Sequence, residues 1–322
     1  MYKIKHNTIS SPILVTGSSG FIGANLIRRL LNDGYNLNLI LREQSKTWRI
    51  DDIMHNTSIH RVDLTHAKDV DRVVKEIKPK TIFHLATYGA YPYQKDVKKI
   101  KNIILDGTIN LVNACKKVGF NIFINTGSNS EYGFKNKPMK ESDLLVPNSH
   151  YSVFKSAATL FCQYAALSEE LPIVTLRPFH VYGPYEEKTR FIPTLISSLL
   201  IHNQCPPLVA PETARDMVYI DDAIDFYLLI ACTSVIISGE IFNVGTGIQS
   251  TLKEIVEKAI EITGVNAIPH WGSMEQRIWD QNIWQANMKH TNDKLGWKPI
   301  CDLEEGLGRT IRWYSERKQK TF

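Results

Sequence analysis

The sequence has no apolar run approaching the roughly 20 residues that a membrane-spanning helix needs, so a membrane anchor is not expected. Its five cysteines, Cys115, Cys162, Cys205, Cys232 and Cys301, are odd in number and widely spaced. There is no C-x-x-C pair and no Cys/His cluster at metal spacing, which argues against both a disulfide framework and a zinc site; no metal is expected. Lys and Arg are scattered among acids and the formal charge is only +5. Without a basic stripe interleaved with aromatics, a nucleic-acid partner is not expected. Repeats and low-complexity segments are lacking as well. The first residues, "MYKIKHNTISSP", carry no apolar signal core before the strand-like "ILVTG", so a cytoplasmic protein with reduced thiols is the expectation. What is present is 322 residues, 43% of them hydrophobic and 22% charged. That is material for one large domain, or for two sharing an interface. The mild positive balance suits an anionic small molecule.

The first half alternates β-rich runs ("ILVTG", "NLNLILR", "IHRVDL", "TIFHLAT", "NIFINTGS", "IVTLRP") with helical patterns ("FIGANLIRRLLNDG", "AKDVDRVVKEIK", "IKNIILDGTINLVNACKKVG", "SVFKSAATLFCQYAALSEE"). Near-continuous apolar strands interleaved with helices predict an α/β fold, a doubly wound parallel sheet covered on both faces. Gly34 and Gly119 stand where helix C-caps belong. After Arg177-Pro178 the rhythm gives way to Pro- and Gly-rich segments and shorter helices. These changes divide the chain into residues 1–177, with a strand-bearing return at about 217–245, and a smaller mixed α/β region from 178–216 and 246–322.

"LVTGSSGFIG" sets Gly17, Gly20 and Gly23 between the first strand and the first helix. Glycines there permit a tight turn and let backbone N–H groups approach a pyrophosphate at the helix N-terminus. The spacing G-x-x-G-x-x-G resembles that of the short-chain dehydrogenase/reductase superfamily. An NAD site usually carries an acid about 20 residues further on, for the ribose 2′-hydroxyl. Here the second strand ends "LILRE", with Arg42 at its tip. An arginine pairs with a 2′-phosphate where a carboxylate repels it, so NADP(H) is favoured. NAD(H) stays open if Arg42 faces solvent and Glu43 takes the ribose.

"YSVFK" places Tyr151 and Lys155 on one helix face. A tyrosine ordinarily titrates near about 10, and a neighbouring ammonium favours its phenolate form. Tyr151 is thereby suited to exchange a proton with a sugar oxygen. Ser128, on the preceding strand-end loop, is placed to hydrogen-bond the reacting carbonyl. With "FHLAT", "GTINLVNA", "SNSEYG", "LRPFHVYGP", "ARDMVYIDDAIDFY", "FNVGTG" and "LGWKP" following in order, the chain resembles, along nearly its whole length, the extended branch of the superfamily: the NAD-dependent epimerase/dehydratase family of nucleotide-sugar enzymes. The resemblance implies a Rossmann-type sheet with a C-terminal substrate-binding domain and a catalytic set of Ser128, Tyr151 and Lys155. It implies a cofactor cradle of Gly17, Ser19, Gly20, Phe21, Ile22, Gly23, Arg42, Asp63, Leu64, Leu85, Ala86, Thr87, Lys155 and Pro178. For a nucleotide-diphosphate sugar it implies contacts at Tyr88, Asn129, His180, Arg215 and Arg277, and it implies a homodimer.

The family's 4,6-dehydratases follow the catalytic Ser or Thr with acids that eliminate water. Here Asn129 and Ser130 follow Ser128, and Glu131 comes one place too late, which disfavours dehydration. A 4-ketoreductase releasing NADP and a 4-epimerase retaining its NAD remain. Arg42 favours the reductase, as do His180, where asparagine is common, and a C-terminal stretch resembling CDP-abequose and paratose synthases. A non-catalytic dinucleotide sensor is disfavoured because the Tyr/Lys pair is kept.

Overall fold

The computed structural model describes residues 8–275 and 283–321. Two compact units form: one from the chain up to Gly133, Leu144–Pro178 and Ile224–Phe242, the other from Phe134–Asp143, Phe179–Ala223 and Asn243 onward. Their elements follow in chain order as β1 (Ile13–Thr16), α1 (Phe21–Asn32), β2 (Leu37–Leu41), β3 (Ser58–Arg61), α2 (Ala67–Ile77), β4 (Thr81–His84), α3 (Val97–Lys101), a π-helical turn (Asn102–Asp106), α4 (Gly107–Val118), β5 (Ile122–Thr126), α5 (His150–Ser168), β6 (Ile173–Pro178) and β7 (His180–Tyr182). Then come α6 (Phe191–Ser197), β8 (Ala214–Tyr219), α7 (Ile220–Cys232), β9 (Ile241–Val244), β10 (Gln249–Thr251), α8 (Leu252–Thr263), α9 (Lys289–Leu295) and α10 (Leu303–Thr321).

Seven strands form one sheet in the order β3-β2-β1-β4-β5-β6-β9, parallel at each pairing from β3 to β6. This is the parallel sheet expected from the alternating pattern, in the Rossmann-type form that the resemblance implied. Its inner strands are buried on both faces: every residue of β1, β4 and β6 is buried, which is why they read as near-continuous apolar runs rather than as alternations. Each fully buried Leu, Ile or Phe, such as Leu14, Ile82 and Phe123, contributes about 1.5–3 kcal/mol. Gly34 and Gly119 end α1 and α4 with φ of 85° and 72°.

Ile13 pairs with Leu37 on one side and Thr81 on the other, so the strand order reverses at β1. At such a reversal, beyond the carboxyl ends of the strands, open α/β sheets bind ligands. In the second unit a three-stranded sheet runs β10-β8-β7, with β7 parallel and β10 antiparallel to β8. Among the described residues no helix is long and apolar enough to cross a membrane.

Candidate active site

In the first unit, Gly17 turns the chain out of β1 with φ of 71°, and a Cβ on it would sit 2.5 Å from the backbone of Leu85 and Ala86. A Cβ on Gly23 would strike the Gly17 carbonyl. Glycine is therefore required at both places, one for the turn and one for the seating of α1 on the loop. Gly20 donates its N–H to Gly17 O at 3.0 Å and begins α1 with no side-chain cap and no acid in the first turn. An uncapped, acid-free N-terminus on a 12-residue helix presents N–H groups and a positive dipole end. Ser18 Oγ in the same loop is buried without a hydrogen-bond partner. Such a loop fits the pyrophosphate of a dinucleotide. Ser19, Phe21 and Ile22 lie on it, and Leu85, Ala86 and the exposed Thr87 continue from β4 beside it.

At the neighbouring tips, Arg42 directly follows β2 and is half-buried. Asp63, two residues after β3, accepts from Thr65 N at 2.9 Å and Thr65 Oγ1 at 2.8 Å. Burial works against ionisation of Asp63, but the Thr65 bonds, with Arg42 and His66 near, more than offset it and hold the carboxyl below its ordinary value. Leu64 O accepts from Asn110 Nδ2 at 2.9 Å.

The end of β5 gathers the catalytic candidates. Ser128 caps a short turn over residues 129–132: its Oγ accepts from Ser130 N at 3.1 Å, while its own N–H donates to Glu131 Oε1 at 2.8 Å. Asn129 is buried alongside, its Oδ1 3.5 Å from Ser128 Oγ. Helix α5 starts on a reciprocal Ser149/Ser152 capping box, which sets Tyr151 in its first turn and Lys155 one turn on. Tyr151 packs with Tyr88 against Ile100, Ile104 and Ala158. Lys155 is buried and donates from Nζ to Thr126 O at 2.7 Å. Burial lowers its pKa to about 8, against the raising influence of Glu131 and Cys162. Thr126 Oγ1 in turn lies 2.9 Å from Tyr227 Oη. Pro178 ends β6, and Lys99 Nζ stands 4.9 Å over the Tyr88 ring.

Glu131 has a different occupation from catalysis. It is fully buried, paired with Arg177 Nε at 2.8 Å, and it accepts from Thr159 Oγ1 at 3.1 Å besides Ser128 N–H. Arg177 also lies 4.7 Å over the Tyr132 ring. This pair, which fastens β5, α5 and β6 beneath Ser128, was missed in the sequence. The signal was there: an arginine inside the buried run "IVTLRP" demands a buried partner. Also missed was His84, buried between Thr16 Oγ1 at 2.7 Å and Thr108 Oγ1 at 2.9 Å. Burial, with Lys155 near, lowers its pKa to about 3, so it serves as a neutral bridge.

In the second unit, His180 begins β7 opposite Met217 of β8. Its Nδ1 is buried with no hydrogen-bond partner, and its ring meets Trp284 edge-on at 6.0 Å. Burial, then Arg215 and Arg190, hold it well below the ordinary imidazole value. Arg215 bonds Ala214 O at 2.8 Å and lies 6.0 Å from the Trp284 ring. Asp216 is buried and accepts from Thr246, Gly247 and Ala286 N–H groups, and Asp222 accepts from Ile300 and Cys301 N–H groups; both acids brace loops. Arg277 lies outside the described residues.

Comparison with known proteins places these features in context. The "NAD dependent epimerase/dehydratase family" matches residues 13–245. A UDP-glucose 4-epimerase of Mycolicibacterium smegmatis is 25% identical over 95% of this chain and 99% of its own. The CDP-abequose synthase of Salmonella typhimurium is 25% identical over 93% and 97%. The crystal structure of UDP-glucuronic acid 4-epimerase from Bacillus cereus, with UDP-glucuronic acid and NAD, superposes at a TM-score of 0.82 with 26% identity, covering 94% and 99%.

Proposed function

The chain belongs to the NAD-dependent epimerase/dehydratase family of nucleotide-sugar enzymes, and from that premise we propose that it is an NADPH-dependent 4-ketoreductase of a nucleotide-linked 4-keto-6-deoxy sugar. The observation that carries this choice is the tip of β2. Arg42 stands there with no side-chain hydrogen bond or ion pair among the described residues, while the nearby Asp63 is occupied by Thr65. An arginine ready for a 2′-phosphate suits a cofactor that exchanges each turnover, as reduction requires. Elimination of water lacks its acid, because Glu131 is held by Arg177.

The glycine loop, Arg42, Asp63, Leu64, the Leu85–Thr87 stretch, Lys155 and Pro178 would hold the dinucleotide. When bound, that group supplies hydride to the sugar carbon. Ser128 and Tyr151 hydrogen-bond the C4 carbonyl oxygen, and Tyr151 gives its phenolic proton to the alkoxide as it forms. The Lys155 ammonium, aimed by Thr126 O, favours the phenolate left behind. Tyr88 and Asn129 border the sugar. In the second unit the neutral His180, Arg215 and, by resemblance, Arg277 take the nucleotide diphosphate; guanidinium groups bond phosphate bidentately.

A second reading, a 4-epimerase retaining NAD, is favoured by the full-length match to an epimerase. Purified protein separates the two. Stoichiometric NADPH consumption with a 4-keto-6-deoxy sugar nucleotide supports the reductase; tightly held NAD with sugar interconversion and no added reductant overturns it in favour of the epimerase. We also propose a homodimer through α4 and α5. On α5, Val153, Leu160, Tyr164 and Leu167 are 45%, 56%, 55% and 67% exposed and recur at helical spacing as an exposed apolar stripe.

A further inference from the structure

The tip of β2 carries more cationic character than its terminal arginine alone. Leu41 pairs with Arg61 in the parallel register of β2 and β3, so the last residue of β3 lies beside Arg42. Arg61 is exposed, and its Nη1 donates to the Arg42 carbonyl at 3.1 Å. That bond pins one edge of the guanidinium to the backbone and leaves its other N–H groups outward. Arg61 has no acidic partner, and Arg42 has none in hydrogen-bonding contact, among the described residues. Ser45 completes the turn. Its N–H donates to the same Arg42 carbonyl at 3.1 Å, and its Oγ accepts from Arg42 N at 3.1 Å, which leaves the Ser45 hydroxyl proton free to donate elsewhere. The Asp63 carboxylate, on which Arg42 acts electrostatically, is turned to Thr65.

Two arginines at one strand tip, neither with an acid in hydrogen-bonding contact among the described residues, repel each other unless an anion joins them. A phosphate monoester suits the pair, since it offers three oxygens to fork-shaped donors. We propose that Arg61 and Ser45, together with Arg42, form the seat for the 2′-phosphate of the dinucleotide, with Arg61 as a second determinant of cofactor choice. This deepens the NADPH assignment made above and rests on it.

The test uses adenosine fragments, so it does not depend on turnover. Calorimetric titration of the full chain compares 2′,5′-ADP with 5′-AMP, for wild type and for Arg61→Gln, Arg42→Gln and Ser45→Ala, each checked for an unchanged melting temperature. The expected result is a wild-type preference for 2′,5′-ADP that falls about tenfold in Arg61→Gln and at least as much in Arg42→Gln. Ser45→Ala loses about two- to fivefold. The wild-type preference also shrinks as salt rises, because the seat is exposed. If wild type prefers 2′,5′-ADP and Arg61→Gln keeps that preference, the seat is overturned while NADPH use stands. If wild type binds the two fragments equally, NADPH use itself fails and the seat with it. Should Arg61→Gln melt early, Arg61→Lys separates fold from charge. It keeps the cation, so a retained preference in a stable lysine variant supports the seat, and a lost one overturns it.

Discussion

Replacing Glu131 with alanine tests whether the ground beneath Ser128 is held by one buried charge pair. Arg177 and Glu131 have side-chain exposures of 2% and 0%, so water cannot rescue a guanidinium left alone. Removing one partner of such a pair costs about 3–5 kcal/mol. The Arg177 stack on Tyr132 at 4.7 Å survives the change and keeps the loss toward the lower end. Ser128 N–H and Thr159 Oγ1 lose their acceptor in the same step. For a chain of this length, roughly 2 °C of melting temperature accompanies each kcal/mol, so the midpoint should fall by about 6–10 °C. The double change Glu131→Leu with Arg177→Met should recover most of that, because an apolar pair of similar volume leaves no orphaned charge. Scanning calorimetry on wild type, Glu131→Leu, Arg177→Met and the double variant reads the coupling directly. A Glu131→Ala melt within about 2 °C of wild type would show that the pair is not holding the site. A double variant as unstable as the single would show that the cost lies elsewhere than in the stranded arginine.

Tyr151→Phe should lower kcat by about 10²–10⁴ while nucleotide-sugar binding, read by thermal shift, persists; a variant with wild-type turnover refutes the proton-transfer role. Lys155 gives up its proton near pH 8 when folded and near 10.5 when unfolded. Between those values the unfolded chain binds more protons, so stability rises with pH by up to about 1.4 kcal/mol per unit. Urea titrations from pH 7 to 10.5 should therefore show wild type gaining on Lys155→Met, and parallel curves would contradict this. His84 is held neutral to about pH 3 against an ordinary 6.5, so its contribution is full above pH 6.5 and is lost progressively as pH falls toward 3. A His84→Gln variant should show a shallower acid-side decline in the same titration, and an unchanged decline would refute the buried-neutral assignment. Leu160→Glu on the exposed stripe of α5 should shift the sedimentation profile to monomer without lowering the melting temperature of the dilute protein; an unchanged profile rules out that face.

The architecture was legible because its signals are local. Parallel strands buried on both faces are apolar along most of their length, so "ILVTG" and "TIFHLAT" declare themselves, and a turn needing positive φ at Gly17 admits almost only glycine. The Tyr151/Lys155 pair was legible for the same reason, since a helix puts residues four apart on one face. Proximity of residues far apart in the chain was not. Ser128 is tied through Glu131 to Arg177, 46 positions after that acid, and His84 bridges two threonines 68 and 24 positions away. No spacing rule encodes such contacts. The same holds at the tip of β2: Arg42 could be read from its place at a strand end, but Arg61 joined it only once β2 and β3 had paired in register.

By itself, then, the amino-acid order determined which segments become strands and helices, where the glycine loop falls and which helix carries the phenol and the amine, because backbone sterics and hydrophobic periodicity act over a few residues. Only the folded chain decided that Glu131 serves as an anchor rather than an acid for elimination, that Lys155 is desolvated, and that a second guanidinium leans on the tip of β2. Burial and electrostatics depend on distances in space, and those exist only after the sheet has assembled.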